Sequence, residues 1–547
     1  MSESKLRMYN RPMGSYLKKY LPFIILSVGV FAYILYFSLF TIFRYEKFYA
    51  HYFDLGIMHQ VVYNSYQGLK TGDFTRILEH TDPQEGIEQV KRMAVHNDIF
   101  LVFLAPFYFI HDGPETLLVM QSVILGLGAY FVFWIAQHVL KKLKYSDHLA
   151  LILAFGYLLY PPLQKANNFD FHAVTLATTF LLAMYYFWLK KKYVWSVLFA
   201  VMSMLTKEQV GLTVAFFGAY TLYSQADKHH SWSKWFTKYF FHRLAFQNCI
   251  SFIQKKRHRF GITLIIAGVF WVLFSMQVII PYFSGGGHFG SKYFRYLIES
   301  PWQFFPVLFR YESLKYISIL LFPVGFISLF SPLQLLIATP EMLMNLLAEN
   351  SNMRNIYFHY DAVITPFVFI SAIYGVRTVL TSKLKTFILL LNRIAKKVAI
   401  PKRHMRFVSF IRHHPEKTVM VFLGISIVAT SLYMSPIPWG HHRDLFPFMP
   451  YPKKYGDVQL WKKYLNDDSL KVSTTGHLAP HFTSRRYFYN FAEGYDHADY
   501  VVIDRSEISR GFQSELKKLE YQRLLRDFRY IKVYDVHGIE VFKQLSF

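Results

Sequence analysis

The stretch that decides the fold is LPFIILSVGVFAYILYFSLFTIF, from Leu21 to Phe43, which carries no charged residue. At 1.5 Å of rise per residue, a helix over these residues spans the hydrocarbon core of a bilayer. It is too long for the core of a signal peptide, and no small-residue cleavage site follows it, so it reads as a retained anchor. Apolar runs of similar kind recur along the chain. We expect about eleven spanning helices, at roughly 21–43, 115–140, 149–164, 172–189, 193–206, 209–224, 260–283, 313–330, 332–347, 358–380 and 418–435.

Composition agrees with this reading. The 547 residues are 53% hydrophobic and 19% aromatic, more apolar surface than one water-soluble core can bury. The formal charge of +25 does not point to nucleic acid, because the basic residues cluster between apolar runs. Lys141-Lys142-Leu143-Lys144, Lys190-Lys191-Lys192 and the loops 225–259 and 381–417 hold 24 Lys and Arg against two acids. That is the positive-inside pattern, so these loops and the N-terminus, with Arg11, Lys18 and Lys19, are expected to be cytoplasmic. The single cysteine, Cys249, lies in one of them and leaves no intrachain disulfide to form.

Sidedness then settles ambiguous stretches. Tyr193 to Ser224 has basic flanks at both ends and must cross twice, turning at Thr206-Lys207-Glu208-Gln209. Between the N-terminus and Lys141 two crossings are required where three apolar stretches exist. The shortest, Ile99 to Ile110, therefore reads as an interfacial or re-entrant helix. After Met434-Ser435-Pro436 the composition becomes that of a small α/β domain outside the cytoplasm. Its strands are expected at 470–474 and 500–503, its helix at 511–528, and a terminal hairpin at 530–542 turning at His537-Gly538. No glycine-rich phosphate loop or metal-ligand spacing occurs in it. The chain thus divides into a transmembrane domain, 1–435, with a long first outer loop at 44–114, and a soluble extracytoplasmic domain, 436–547.

Sidedness also sorts the polar residues. Asp54, His96, Asp98, Asp170, His172, Lys207, Glu208, His288, Lys292, Arg295, Arg354, His359 and Tyr360 all fall at the outer ends of spans. Ionisable groups at membrane depth are costly, so their convergence on one face suggests a site, whereas any one alone could simply solvate a helix end. The histidines read more readily as hydrogen-bonded caps than as metal ligands, so no metal or other cofactor is expected. The run Gly285-Gly286-Gly287 lacks the spacing of a P-loop and reads as linker or lid.

Asp54 follows the first span by about ten residues, at the start of a long outer loop. This order resembles the large membrane glycosyltransferases of the GT-C superfamily, whose first outer loop carries a functional Asp soon after the first helix. Phe53-Asp54-Leu55-Gly56, His96-Asn97-Asp98, Phe169-Asp170-Phe171-His172, Leu205-Thr206-Lys207-Glu208 and Tyr357-Phe358-His359-Tyr360 also resemble signature positions of a bacterial and archaeal membrane family catalogued as domain of unknown function 2079. That likeness runs from about Arg44 to Asp504, with Arg485-Arg486 and Ala498 to Asp504 contributing.

The GT-C resemblance implies a GT-C-like α-helical fold at the plasma membrane. It also implies transfer of a sugar from a polyprenyl-phosphate carrier to an acceptor glycan, lipid or protein at the outer surface. On that reading Asp54 is the base or acceptor-orienting carboxylate, and Glu208 assists it. His96, Asp98, Asp170, His172, Lys207, Lys292, Arg295, Arg354, His359 and Tyr360 bind substrate, the cations facing the departing phosphate. Two other readings compete: a transporter or flippase for a lipid or polar solute, and a non-catalytic membrane scaffold. A transporter should carry inverted repeats and mid-membrane charges, whereas here the charges sit at span ends.

Overall fold

The computed structural model describes residues 13–82, 87–224, 256–286, 289–383, 413–445, 448–511 and 513–545. Arg11, Cys249, His288 and most of the loops 225–259 and 381–417 lie outside the described residues. The architecture is a helical bundle joined at one end to a mixed sheet. Among the described residues, five helices are long and apolar enough to cross a membrane: Tyr20–Glu46, Pro114–Leu140, Ser146–Phe169, His258–Ser284 and Pro415–Met434. Shorter apolar helices are Ile99–Phe109, Ala173–Leu189, Tyr193–Met204, Val210–Ser224 and Thr365–Thr381.

The regions expected to span are therefore helical, but several are broken. The run 149–164 becomes Ser146–Leu158 and Pro161–Phe169, parted where Pro161 and Pro162 cannot donate to the preceding turn. Likewise 313–330 splits at Phe322–Val324, around Pro323, and 332–347 is three short helical segments, Pro332–Leu335, Leu336–Ala338 and Thr339–Leu347. Ile99–Phe109 is a 3-10 helix packed on the helix Ile57–Thr71.

Helix pairing inside the bundle depends on small residues. A Cβ on Gly211 would lie 2.6 Å from the carbonyl oxygen of Gly268, and one on Gly218 would lie 2.6 Å from that of Gly261. Two glycine contacts a heptad apart thus bring the helices Val210–Ser224 and Lys256–Phe274 to backbone contact, which compensates for the absence of a hydrophobic driving force in lipid. At the end of the bundle away from the site, His138, Lys141, Lys142 and Arg377 line one cavity.

The sheet has the order β4-β3-β5-β7-β6, with β3 (Val472–Thr474), β4 (Phe488–Asn490), β5 (Tyr500–Asp504), β6 (Tyr530–Val536) and β7 (Ile539–Gln544). β3 pairs parallel with β4 and β5, while β5–β7 and β6–β7 are antiparallel. β5 is buried along its whole length because strands flank it on both sides and cores pack both faces. The helix expected at 511–528 forms over Ser514–Leu524. The helix Tyr455–Tyr464, strand β4 and the hairpin of β1 (Glu79–Thr81) with β2 (Gln89–Lys91) were not anticipated.

The C-terminal unit does not stand apart. Tyr45, Tyr52, Leu55, Val61, Leu101 and Leu104 share one hydrophobic core with Val458, Val472, Leu478, Phe488, Val502 and Val541. The segment after the first helix and the sheet unit therefore fold as one body.

Candidate functional site

The first long helix, Met13–Glu46, carries Arg44 in its last turn, and the chain then turns through Tyr52–Gly56 into the buried helix Ile57–Thr71. Asp54 sits in that turn, where the amide ends of the coming helix favour a negative charge. The helix is held from both sides. His59 bonds Tyr108 Oη and Ser484 Oγ, each at 2.9 Å, and Gln60 Nε2 donates to the Arg486 carbonyl at 2.9 Å.

The Asp54 carboxylate faces a cavity of about 870 Å³. His172 Nε2 stands 3.1 Å from Asp54 Oδ1, and the His172 ring stacks on His359 with centroids 3.7 Å apart. Burial works against the charge of Asp54, yet the hydrogen bond and charge of His172, with His51 and Arg44 farther off, hold its carboxyl below the usual range. With a side chain 27% exposed, the carboxylate remains accessible from the cavity. Burial, and then the charge of His172, drives His359 well below an ordinary histidine, so its ring is neutral.

His172 is placed by a short extended segment at the start of the helix Ala173–Leu189. Gln121 pins that segment: its Nε2 donates to the carbonyls of Asn167 (3.2 Å) and Asp170 (3.1 Å), and its Oε1 accepts from His172 N (3.1 Å) and Thr175 Oγ1 (2.7 Å). Asp170 points the other way. It is buried against Arg44 Nη1, which also donates to the Phe169 carbonyl, and its second oxygen accepts from His51 N at 3.3 Å. Burial raises the Asp170 carboxyl to about 7, with Arg44 opposing and Asp54 adding to the rise.

A second wall comes from the turn after β2. Arg92 and His96 line the cavity with Asp98, whose two oxygens accept from Arg92 Nε at 2.9 and 3.0 Å. Glu208 lies behind this wall, 1% exposed, and is not brought to the cavity. Its oxygens take His96 Nδ1 at 3.0 Å and the Asn97 amide at 2.9 Å, so it braces the turn instead of facing substrate. Burial is the main reason His96 falls to about 4, although Glu208 pulls it upward.

Lys207, Lys292, Tyr293 and Tyr360 complete the bundle side, and Glu493 and Gln513 close the cavity from the sheet unit. Those two bond each other, Gln513 Nε2 to Glu493 Oε1 at 2.7 Å. Burial and then Asp54 raise Tyr360 to about 12, so it stays a hydroxyl donor. Arg295 and Arg354 are not brought in. Arg295, 79% exposed, pairs with Glu299 at 2.8 Å, and Arg354 donates to the carbonyls of Asn345 and Ala348.

Eight of the twelve residues given a role from sequence thus line one cavity, Asp54, His96, Asp98, His172, Lys207, Lys292, His359 and Tyr360, and Asp170 and Glu208 support them from behind. Arg44, Arg92, Gln121, Glu493 and Gln513 were missed. Arg44 and Arg92 each stand beside an apolar or turn segment where a lone cation reads as a flank, and only their burial, 8% and 5% exposed, marks them out.

A bundle of apolar helices carrying a polar cavity at one end, roofed by a sheet unit, defines a polytopic membrane protein. The chain belongs to the predicted membrane protein family DUF2079, whose model matches residues 44–417. No curated protein matches the chain. Among solved structures, it is similar to ArnT from Cupriavidus metallidurans in the apo state, at 11% identity and a TM-score of 0.45, over 90% of this chain and 93% of that one. It is also similar to the archaeal oligosaccharyltransferase AglB from Archaeoglobus fulgidus, in complex with an inhibitory peptide and a dolichol-phosphate. That likeness has 10% identity and a TM-score of 0.41, over 97% of this chain and 75% of that one.

Proposed function

We propose that the protein is a membrane glycosyltransferase that moves a sugar from a polyprenyl-phosphate carrier to an acceptor hydroxyl at the membrane surface. The observation that carries this reading is the pairing, in one cavity, of an ionised and accessible Asp54, backed by His172, with the ammonium groups of Lys207 and Lys292. In the proposed reaction the acceptor oxygen bonds the sugar C1 as the bond from C1 to the phosphate oxygen breaks. The hydroxyl proton passes to Asp54, and the electron pair leaves on the carrier phosphate. Lys207 and Lys292 compensate the charge that builds on that phosphate. His172 orients the Asp54 carboxylate, Arg92 holds Asp98 at the wall, and Tyr360 offers a hydroxyl donor to the sugar.

The test is transfer of labelled sugar from a panel of prenyl-phosphate donors in membranes containing the protein. Asp54→Asn keeps the shape but cannot take the proton, and should lower the rate by about 10²- to 10⁴-fold at equal protein level. Transfer at the wild-type rate by this variant removes Asp54 as the base.

A further inference from the structure

On the other side of the Asp54 turn, three side chains from distant parts of the sequence meet where the turn docks on the sheet unit. One ligand-capable atom from each of His51, His477 and Glu507 lies within 4.8 Å of the others, and all three line a separate cavity of about 390 Å³. We propose that His51, His477 and Glu507 form a binding site for a zinc-class divalent metal ion that clamps the turn carrying Asp54 onto the C-terminal unit.

The donor set is the first argument. Two imidazoles with one carboxylate suit zinc and its borderline neighbours, whereas magnesium and calcium take oxygen ligands. The orientation of the donors is the second. His477 Nδ1 lies 3.1 Å from the Ala50 carbonyl oxygen, which can only accept, so Nδ1 carries the proton and Nε2 presents its lone pair. This is the outer contact that metal-bound histidines characteristically make. The Glu507 carboxylate is held by the backbone N–H of His477, at 3.1 and 3.3 Å.

His51 is held at its backbone, and its Nδ1 accepts a long contact from the Phe53 N–H at 3.4 Å that metal binding at either ring nitrogen displaces. Its own N–H donates to Asp170, the next residue's N–H donates to the Gly476 carbonyl at 2.9 Å, and its ring meets the His477 ring edge-on at 4.9 Å. A Cβ at residue 476 would come within 2.2 Å of His51 Nε2, so only glycine admits the ring here.

Ligands about 2.0–2.2 Å from a tetrahedral zinc stand about 3.4 Å apart, so binding draws the three side chains inward by at most about 1 Å. Lys517 lines the same cavity with its ammonium turned to the Arg510 carbonyl at 2.6 Å. Its charge opposes the metal and moderates the affinity. The clamp joins residues 51, 477 and 507, and through the His51 amide it bears on Asp170 and Arg44 behind the candidate site.

The test is metal content, which does not depend on sugar transfer. Full-length protein in detergent is stripped with chelator, equilibrated with Zn(II), desalted and analysed for bound metal. Wild type should retain one equivalent that excess Mg(II) does not displace. His51→Ala, His477→Ala and Glu507→Gln should each bind at least about tenfold more weakly. His96→Ala should retain the ion, and Lys517→Ala should bind as tightly or more so. Where an alanine variant fails to fold, the Co(II)-loaded wild type decides the matter. The absorption of a four-coordinate nitrogen and oxygen site supports the assignment, and that of a six-coordinate aquo ion overturns it. Retention of no zinc by wild type, or equal retention by all three ligand variants, also overturns it.

Discussion

Removing the Asp170 side chain measures how firmly the candidate site is anchored. Arg44, at the end of the first long helix, reaches Asp170 across 126 residues of sequence, and their side chains are only 10% and 3% exposed. The Arg44 guanidinium also donates to the Phe169 carbonyl and lies 5.7 Å from the Phe169 ring centroid. Asp170→Ala strands a buried guanidinium and frees the His51 amide, and breaking such a pair from one side costs about 3–5 kcal/mol. At about 2.1 cal/mol/K per residue, the unfolding entropy of 547 residues is about 1.1 kcal/mol/K, so the midpoint should fall by about 3–4 °C. The paired variant Arg44→Met with Asp170→Leu removes both charges and should recover most of that loss, to within about 1 kcal/mol of wild type. Thermal melting in detergent, followed by loss of the monodisperse peak, reads both values. If Asp170→Ala melts within about 1 °C of wild type, or the double variant melts below Asp170→Ala, the pair is not the anchor described here.

Four other outcomes are expected. Lys207→Ala and Lys292→Ala should each weaken use of a prenyl-phosphate donor by about 10- to 100-fold, the worth of one charge-assisted hydrogen bond, as read from the donor concentration at half-maximal rate. Arg295→Ala, at an exposed i,i+4 pair, should change stability by less than about 0.5 kcal/mol in the same melt and leave donor use unchanged. His96 is lowered by burial to about 4 against about 6.5 unfolded, so the unfolded chain binds the extra proton first. Its contribution is complete above about pH 6.5 and is lost as pH falls toward 4. At most about 3 kcal/mol is at stake, less what its 24% exposed side chain recovers from solvent. Melts of His96→Asn across that window should be flatter than wild type, and parallel curves would remove His96 as the source. Cysteine labels at residue 225 and at the C-terminus should react from opposite sides of the membrane, and same-side reaction would overturn the charge-derived topology.

Helix-forming regions and strands β3, β5, β6 and β7 were legible because each rests on local quantities. Run length, charge placement and period-two alternation are all properties of neighbours along the chain. Of Asp54, Asp98, Asp170, Glu208 and His359, expected to converge, the cavity gathers Asp54, Asp98 and His359, and the other two lie behind it. Once the basic ends of the apolar runs are set to one side, polar residues at the other ends have one face to share. What sequence could not supply was which of these residues meet substrate and which meet each other. Glu208 and Asp170 carry the same signal as Asp54, yet Glu208 is used up by His96 and Asn97, and Asp170 by Arg44 and the His51 amide.

Nor could hydropathy show that the unit after residue 436 shares a core with the turn and helix at 45–66, or that Glu493 and Gln513 close the cavity. The Gly211–Gly268 and Gly218–Gly261 contacts and the trio of His51, His477 and Glu507 were hidden for the same reason. Each depends on distances between residues tens to hundreds of positions apart. Those distances are decided only when helices pack to backbone contact and buried polar groups find the partners that their loss of water requires.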